Sequence, residues 1–267
     1  MSDLRVVLTG AAGGIGTAAS KALRERGASV EGIDLIGEGG LVQGDVTDRD
    51  SITAAVRTCA ERLGGIDVLV NNAGIGRAAD AGDFPDAAAH AVMEVNFFGA
   101  WNATAAALPY LLGGRGHVVN VSSGLAVVDV PFAVAYSASK RALAAYSAAL
   151  RVEYGGRVSV TTVYPGYVRT SIHDAAAASG ASLEGLVRAD TVEGAAAAIV
   201  RACTRRPRSI TTSRMSAVEL WAARRFPQLT AATIARRVTR WKRQRPAPGF
   251  VRYPDGGSWG ELTRDGP

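Results

Sequence analysis

Cysteine is scarce in this chain. Cys59 and Cys203 are the only two in 267 residues, far apart and without metal or redox spacing. Their scarcity excludes a disulfide framework and a cysteine metal centre, and fits two buried small side chains in a reducing compartment. No run of 18 apolar residues occurs, so no membrane-spanning helix is expected. The first apolar run begins at Leu4, which leaves no room for a secretory leader, and a cytoplasmic location is expected. There is no internal repeat and no long low-complexity tract, although alanine is abundant. Acidic residues are short in one region only. From residue 201 onward 15 Lys and Arg meet 4 Asp and Glu, a balance of +11, whereas residues 1–200 hold 15 against 20, a balance of −5. The basic character therefore belongs to an appendage. What remains is 48% apolar and long enough to bury one sizeable core.

Short apolar runs alternate with helical patterns along most of the chain. Strands are expected at 4–8, 29–33, 41–43, 67–71, 117–122, 158–163 and 208–212. Helices are expected at 15–26, 48–63, 86–111, 135–154 and 191–204. This alternation predicts an α/β fold with a parallel sheet of about seven strands and helices on both faces. Right-handed crossovers then gather the strand C-termini on one edge, where ligands bind. The glycine-rich link between Asp34 and Asp45 is too short for a crossover helix, so a loop or a single turn is expected there.

Two motifs fall on that edge. Thr9-Gly10-Ala11-Ala12-Gly13-Gly14-Ile15-Gly16 lies between the first strand and the first helix. Glycines in that context let backbone approach a pyrophosphate, and the helix N-terminus favours negative charge. Asp34 ends the second strand eighteen residues after Gly16, where a carboxylate can accept hydrogen bonds from a ribose 2′-OH. The second motif is Tyr136-Ser137-Ala138-Ser139-Lys140, with Ser123 thirteen residues upstream. A Tyr and a Lys four apart share one helix face. The ammonium is expected to lower a phenol pKa that is ordinarily about 10, and a serine can hold a carbonyl oxygen beside that phenol. Together they suit moving a proton on or off an oxygen while a hydride moves on or off its carbon.

With these residues the chain resembles the short-chain dehydrogenase/reductase family over roughly its first four-fifths. Gly-Asp45-Val46 fits the adenine contact of that family. Asn71-Asn72-Ala73-Gly74 fits the element after the fourth strand, Asn96 the helix asparagine, Ser122-Ser123 with Tyr136 and Lys140 the catalytic core, and Pro165-Gly166-Tyr167-Val168-Arg169-Thr170 the nicotinamide segment. The resemblance implies a Rossmann-like doubly wound sheet. It implies cofactor contacts from Gly10, Gly14, Ile15, Gly16, Asp34, Asp45, Val46, Asn72, Ala73, Gly74, Tyr136, Lys140, Pro165, Gly166, Val168 and Thr170. It assigns Tyr136 as general acid or base, Lys140 to its pKa and the ribose, Ser123 to the substrate oxygen, Asn96 to a water beside Lys140, and Thr170 to the carboxamide. It also implies a homo-oligomer, dimer or tetramer, with subunit contacts through the Ala-rich helices at 96–112 and 136–154.

Charge bears on the cofactor. Residues 35–37 are Leu, Ile and Gly, and residues 11–13 are Ala, Ala and Gly. No basic side chain is evident to receive a 2′-phosphate, and Asp34 would repel one, so NAD is favoured over NADP. No metal is expected. Ser122 is read as structural support, and His117 as a surface or capping residue. A substrate lid is expected at 171–190, with His173 either touching substrate or solvated. Leu125, Val130, Phe132 and Tyr167 would line an apolar pocket, which favours a secondary alcohol or ketone on a hydrophobic skeleton; the same residues would equally serve as core.

The chain divides at 1–213, the catalytic domain, and 214–267, a basic helical extension with a Pro/Gly-rich tail. Residues 216–243 mix Val218, Leu220, Trp221, Phe226, Leu229, Ile234, Val238 and Trp241 with arginines, and Pro227 should break them into two helices. Such helices can lie on an anionic membrane surface. The preferred reading is that their apolar face covers the lid or meets another subunit, with the arginines in water. No recognised module supports nucleic acid binding. An NAD(P)-binding regulator or a peripheral membrane protein stands as the alternative to an oxidoreductase.

Overall fold

A computed structural model describes residues 3–168 and 189–243. Seven parallel strands form one sheet: β1 (Arg5–Thr9), β2 (Ser29–Asp34), β3 (Val42–Gln43), β4 (Val68–Asn71), β5 (His117–Val121), β6 (Ser159–Tyr164) and β9 (Ser209–Thr211). Their order across the sheet is β3-β2-β1-β4-β5-β6-β9. Between β6 and β9 the chain adds a two-stranded parallel ribbon, β7 (Tyr167–Val168) with β8 (Ala189–Asp190). That ribbon was not expected, because two residues carry no periodic signal.

Both faces of the sheet are covered, and the strand sequences show why. Val6 and Leu8 of β1, with Val68 and Val70 of β4, point into one apolar cluster; Val7 and Leu69 point into the other. Successive strand residues face opposite sides, so a strand buried on both faces is apolar throughout. The first face carries α1 (Gly14–Arg24) and α6 (Val192–Arg205). The second carries α2 (Arg49–Leu63), α4 (Ala100–Leu112) and α5 (Val134–Glu153). Helix starts follow short polar caps: Asp48 accepts from Ser51 N at 2.7 Å, and Thr191 accepts from Gly194 N at 3.0 Å. From β2 to β3 the chain passes without a helix.

The long helix expected at 86–111 is interrupted. It is α3 (Ala87–Met93), then a π-helical stretch (Glu94–Gly99), then α4. Hydrophobic periodicity does not reveal the added residue of a wide turn, and such turns mark functional positions. This one contains Asn96, which is fully buried.

His117 corrects an expectation: it is fully buried at the base of β5, not on the surface. Its Nε2 meets Thr161 Oγ1 at 2.9 Å, its Nδ1 has no partner, and burial lowers its pKa to about 3. Cys59 and Cys203 are free and buried, and burial pushes both thiols up to about 12, which leaves them unreactive.

Pro227 separates α7 (Arg214–Arg225) from α8 (Pro227–Arg243) as expected. Leu220 and Ala223 on the inner face of α7 are buried, Leu220 beside Ala126 and Tyr164. The tail beyond residue 243 lies outside the described residues, as do Thr170, His173 and most of the expected lid. No helix among the described residues is long and apolar enough to cross a membrane.

Candidate active site

The C-terminal ends of β1, β2, β4, β5 and β6 frame a cavity of about 280 Å³. Its floor is backbone. Gly10 takes φ +68°, and a Cβ there would lie 2.7 Å from Ala73 Cα. A Cβ on Gly16 would lie 2.1 Å from Gly10 O, so no side chain fits. Asn72 secures the turn from beneath, donating from Nδ2 to Thr9 O at 3.2 Å and to Gly10 O at 3.0 Å. Asp34 secures it from the side, accepting from Ala12 N at 2.8 Å and from Leu35 N at 2.9 Å. Asp45 accepts from Thr47 N at 2.8 Å and Thr47 Oγ1 at 2.7 Å. All of the expected cofactor contacts among the described residues line this cavity, and Thr170 lies outside those residues.

Asn96, Ser123, Tyr136 and Lys140 come from three separate elements and converge. Lys140, almost wholly buried, donates from Nζ to Val121 O at 3.0 Å, and Nζ lies 5.8 Å from the Tyr136 ring centroid. Burial lowers its ammonium to about 8. Burial also pushes the Tyr136 phenol above its ordinary value, while a hydrogen bond with the Ser123 side chain pulls the other way. The depression expected from Lys140 is not among the causes of this shift, in which loss of hydration leads.

Asn96 clamps backbone from inside the π turn. Its Oδ1 accepts from Ile75 N at 2.8 Å, and its Nδ2 donates to Ile75 O at 2.9 Å and to Ser139 Oγ at 2.9 Å. Ser139 Oγ in turn donates to Tyr136 O at 2.8 Å, which ties this clamp to the Tyr136 turn. Gly74 fills the gap beside it: a Cβ there would stand 3.1 Å from Asn96 Oδ1 and 3.2 Å from Lys140 Nζ. Ser122 donates to Lys140 O at 2.9 Å, the supporting part expected of it.

A second, larger cleft of about 700 Å³ adjoins the first. Ser123, Tyr136, Pro165 and Gly166 belong to both walls. Leu125 and Tyr167 line it as expected. Val130 and Phe132 do not; Val128 does. Phe132 sits instead at a strained turn with φ +63°, its carbonyl accepting from Ala79 N at 3.1 Å. The outer wall is α7 and α8, through Leu220, Phe226, Leu229, Thr233, Ile234 and Arg237. Sequence reasoning did not assign these to the site. Their spacing marked an apolar face, expected over the lid or another subunit and not as a wall of the cleft. Asp190 was also missed: it accepts from Gly166 N at 2.6 Å and from Thr212 Oγ1, anchoring the loop shared by the two cavities. No cluster of metal-ligating side chains occurs among the described residues.

Known proteins share this sequence pattern and fold. A sequence profile described as short chain dehydrogenase matches residues 5–180. The "Dehydrogenase/reductase SDR family member 7B" of Mus musculus is 33% identical over 216 residues, covering 73% of this chain and 67% of its own. The "3-ketodihydrosphingosine reductase" of Bacteroides thetaiotaomicron is 35% identical over 176 residues, covering 63% of this chain and 65% of its own. A short chain dehydrogenase of Burkholderia cenocepacia, solved in complex with NADP, superposes with a TM-score of 0.66 at 29% identity, covering 79% of this chain and 96% of that one.

Proposed function

Because this chain belongs to the short-chain dehydrogenase/reductase family of NAD(P)-dependent oxidoreductases, we propose that it interconverts a secondary alcohol and a ketone on an apolar skeleton, using NAD(H). The observation that carries this reading is the wall shared by the two cavities: Ser123 and Tyr136 face a glycine-floored chamber on one side and an apolar cleft on the other.

The first chamber fits a dinucleotide. Gly10 and Gly16 leave backbone where a side chain would collide, and the N-terminus of α1 opens onto the same space. Gly10, Gly14 and Gly16 would hold the pyrophosphate, Asp34 the adenosine ribose, and Asp45 with Val46 the adenine. Lys140 would hold the second ribose, and Pro165, Gly166 and Val168 would border the nicotinamide. Bound there, the nicotinamide supplies or accepts the hydride. The protein supplies the proton. Ser123 donates to the substrate oxygen and fixes its position. Tyr136 gives its phenolic proton to that oxygen in reduction and, as the phenolate, takes it back in oxidation. Asn96 keeps the Ile75 and Ser139 groups in register, so the Lys140 end of the chamber stays open and polar.

NAD is preferred over NADP in this reading because Asp34 stands at the ribose end and Lys140, at the other end, is the only cation among the lining residues. Titration with NADH and NADPH tests this. The expected outcome is tighter NADH, with the preference reduced about tenfold in Asp34→Ala, the scale of one charge-assisted hydrogen bond; tighter NADPH in the parent chain would sink the assignment. Turnover on a panel of apolar ketones and alcohols tests the reaction, and binding of dinucleotide without turnover of any of them counts against it. Exposed Phe98 and Trp101, with Trp101 stacked on Tyr146 at 5.1 Å, support a homo-oligomer through α4 and α5.

A further inference from the structure

Residues 214–243 carry eight Lys and Arg against Glu219 alone. Among the described residues, none of the ion pairs reaches α7 or α8. The inner face of α7 is spent on Leu220 and Ala223, yet its outer face is apolar as well: Val218 is 59% and Trp221 62% exposed, and Leu229, at the start of α8, is 67% exposed. Trp221 shares a surface hollow with Arg224 and Arg225. Trp221 meets Phe226 edge-on with ring centroids 6.0 Å apart, and the Arg225 guanidinium lies 5.2 Å from the Phe226 ring. Phe226 and Leu229 also line the apolar cleft, so this corner adjoins its mouth.

We propose that the outer corner of α7 and α8 is a docking surface for an anionic lipid bilayer. The chemistry matches in two independent respects. Tryptophan and aliphatic side chains projecting among arginines suit the headgroup boundary, where the rings are buried and the guanidinium groups stay with phosphates. An excess of cations suits a negative leaflet, each basic residue near the surface giving about a fivefold gain in partition. A second copy meeting this corner by a twofold axis would oppose cation to cation, and a nucleic acid would leave Val218 and Leu229 in water. The first 200 residues, with a net −5, keep the rest of the surface from competing for the same lipids. On this proposal the cleft mouth faces the membrane, whatever is turned over inside.

The test is co-sedimentation of the full chain with vesicles of phosphatidylcholine alone and of phosphatidylcholine with phosphatidylserine. Binding is expected to the second and to fall steeply with salt. Reversing three cations that do not line the cleft, Arg225→Glu with Arg236→Glu and Arg240→Glu, is expected to weaken it at least about tenfold. Trp221→Ser alone should weaken it several-fold and remove a blue shift in tryptophan emission. Neither change should alter reduction of a water-soluble ketone, which also reports that the variants are folded. Vesicle binding is read without turnover, so it fails or succeeds separately from the catalytic reading. Absence of binding to anionic vesicles, equal binding to both kinds, undiminished binding by the triple variant, or tighter binding to a single-stranded oligonucleotide would each overturn the proposal.

Discussion

The two cavities that meet at Ser123 and Tyr136 are made of different material. The smaller is floored by backbone at Gly10, Gly16 and Gly74, and most of its lining comes from the C-terminal ends of strands in the seven-stranded sheet. The larger is walled by side chains, many of them from α7 and α8, which meet the body through Leu220, Ala223 and the Arg224 guanidinium, 4.9 Å from the Tyr164 ring. The comparison teaches where variation is tolerated. A backbone cradle admits one ligand geometry, because any added atom collides. A side-chain wall can change its lining without disturbing the sheet. On the proposed function, the dinucleotide occupies the rigid cavity and the choice of substrate falls to the adaptable one.

The largest expected effect is at the wall they share. We predict that Tyr136→Phe lowers turnover by about 10²- to 10⁴-fold, the usual contribution of a positioned acid, while NADH binding persists; a phenylalanine variant that kept full activity would remove Tyr136 from the mechanism. Next is the rigid cavity. Gly16→Ala places a Cβ 2.1 Å from Gly10 O, and we predict both loss of dinucleotide binding and a destabilisation of about 1–3 kcal/mol by denaturant unfolding, as for overpacked sites. Unchanged stability and affinity would show that this loop yields after all.

The adaptable cavity should respond more mildly. Phe226→Ala or Ile234→Ser is predicted to raise KM for apolar substrates about three- to tenfold, from the apolar area withdrawn, with NADH binding unmoved. If NADH affinity fell equally, the two cavities would not be separable. The smallest effect on turnover concerns the core at the base of β5, where the readout is stability alone. His117 has a folded pKa of about 3 against an ordinary 6.5. Between those values only the unfolded chain holds the proton, so stability is present near neutrality and is lost as pH falls from about 6.5 toward 3, by at most about 1.4 kcal/mol per pH unit. His117→Gln should flatten that part of a plot of Tm against pH; an unaltered slope would place the acid sensitivity elsewhere.

Much of the first cavity was legible in the sequence. Gly10 through Gly16, Asp34, Asp45 and Asn72 through Gly74 lie at strand ends, and strands announce themselves by apolar runs. The second cavity was not. Val130 and Phe132 were expected in it because they adjoin the catalytic residues along the chain, but a left-handed turn at Phe132 directs that segment toward Ala79. The π turn around Asn96 and the buried place of His117 were invisible for a related reason: neither alters the pattern of apolar residues that sequence reading depends on.

The sequence by itself determined the parallel sheet, the order of its elements, the glycine cradle and the Ser123, Tyr136 and Lys140 set, since all of these follow from local periodicity and spacing. Only the tertiary structure decided that Lys140 Nζ meets Val121 O, that the Tyr136 phenol is raised by loss of hydration, and that α7 and α8 wall the larger cleft. Those outcomes depend on which groups lose water and which surfaces meet across long stretches of chain, and no local pattern carries that information.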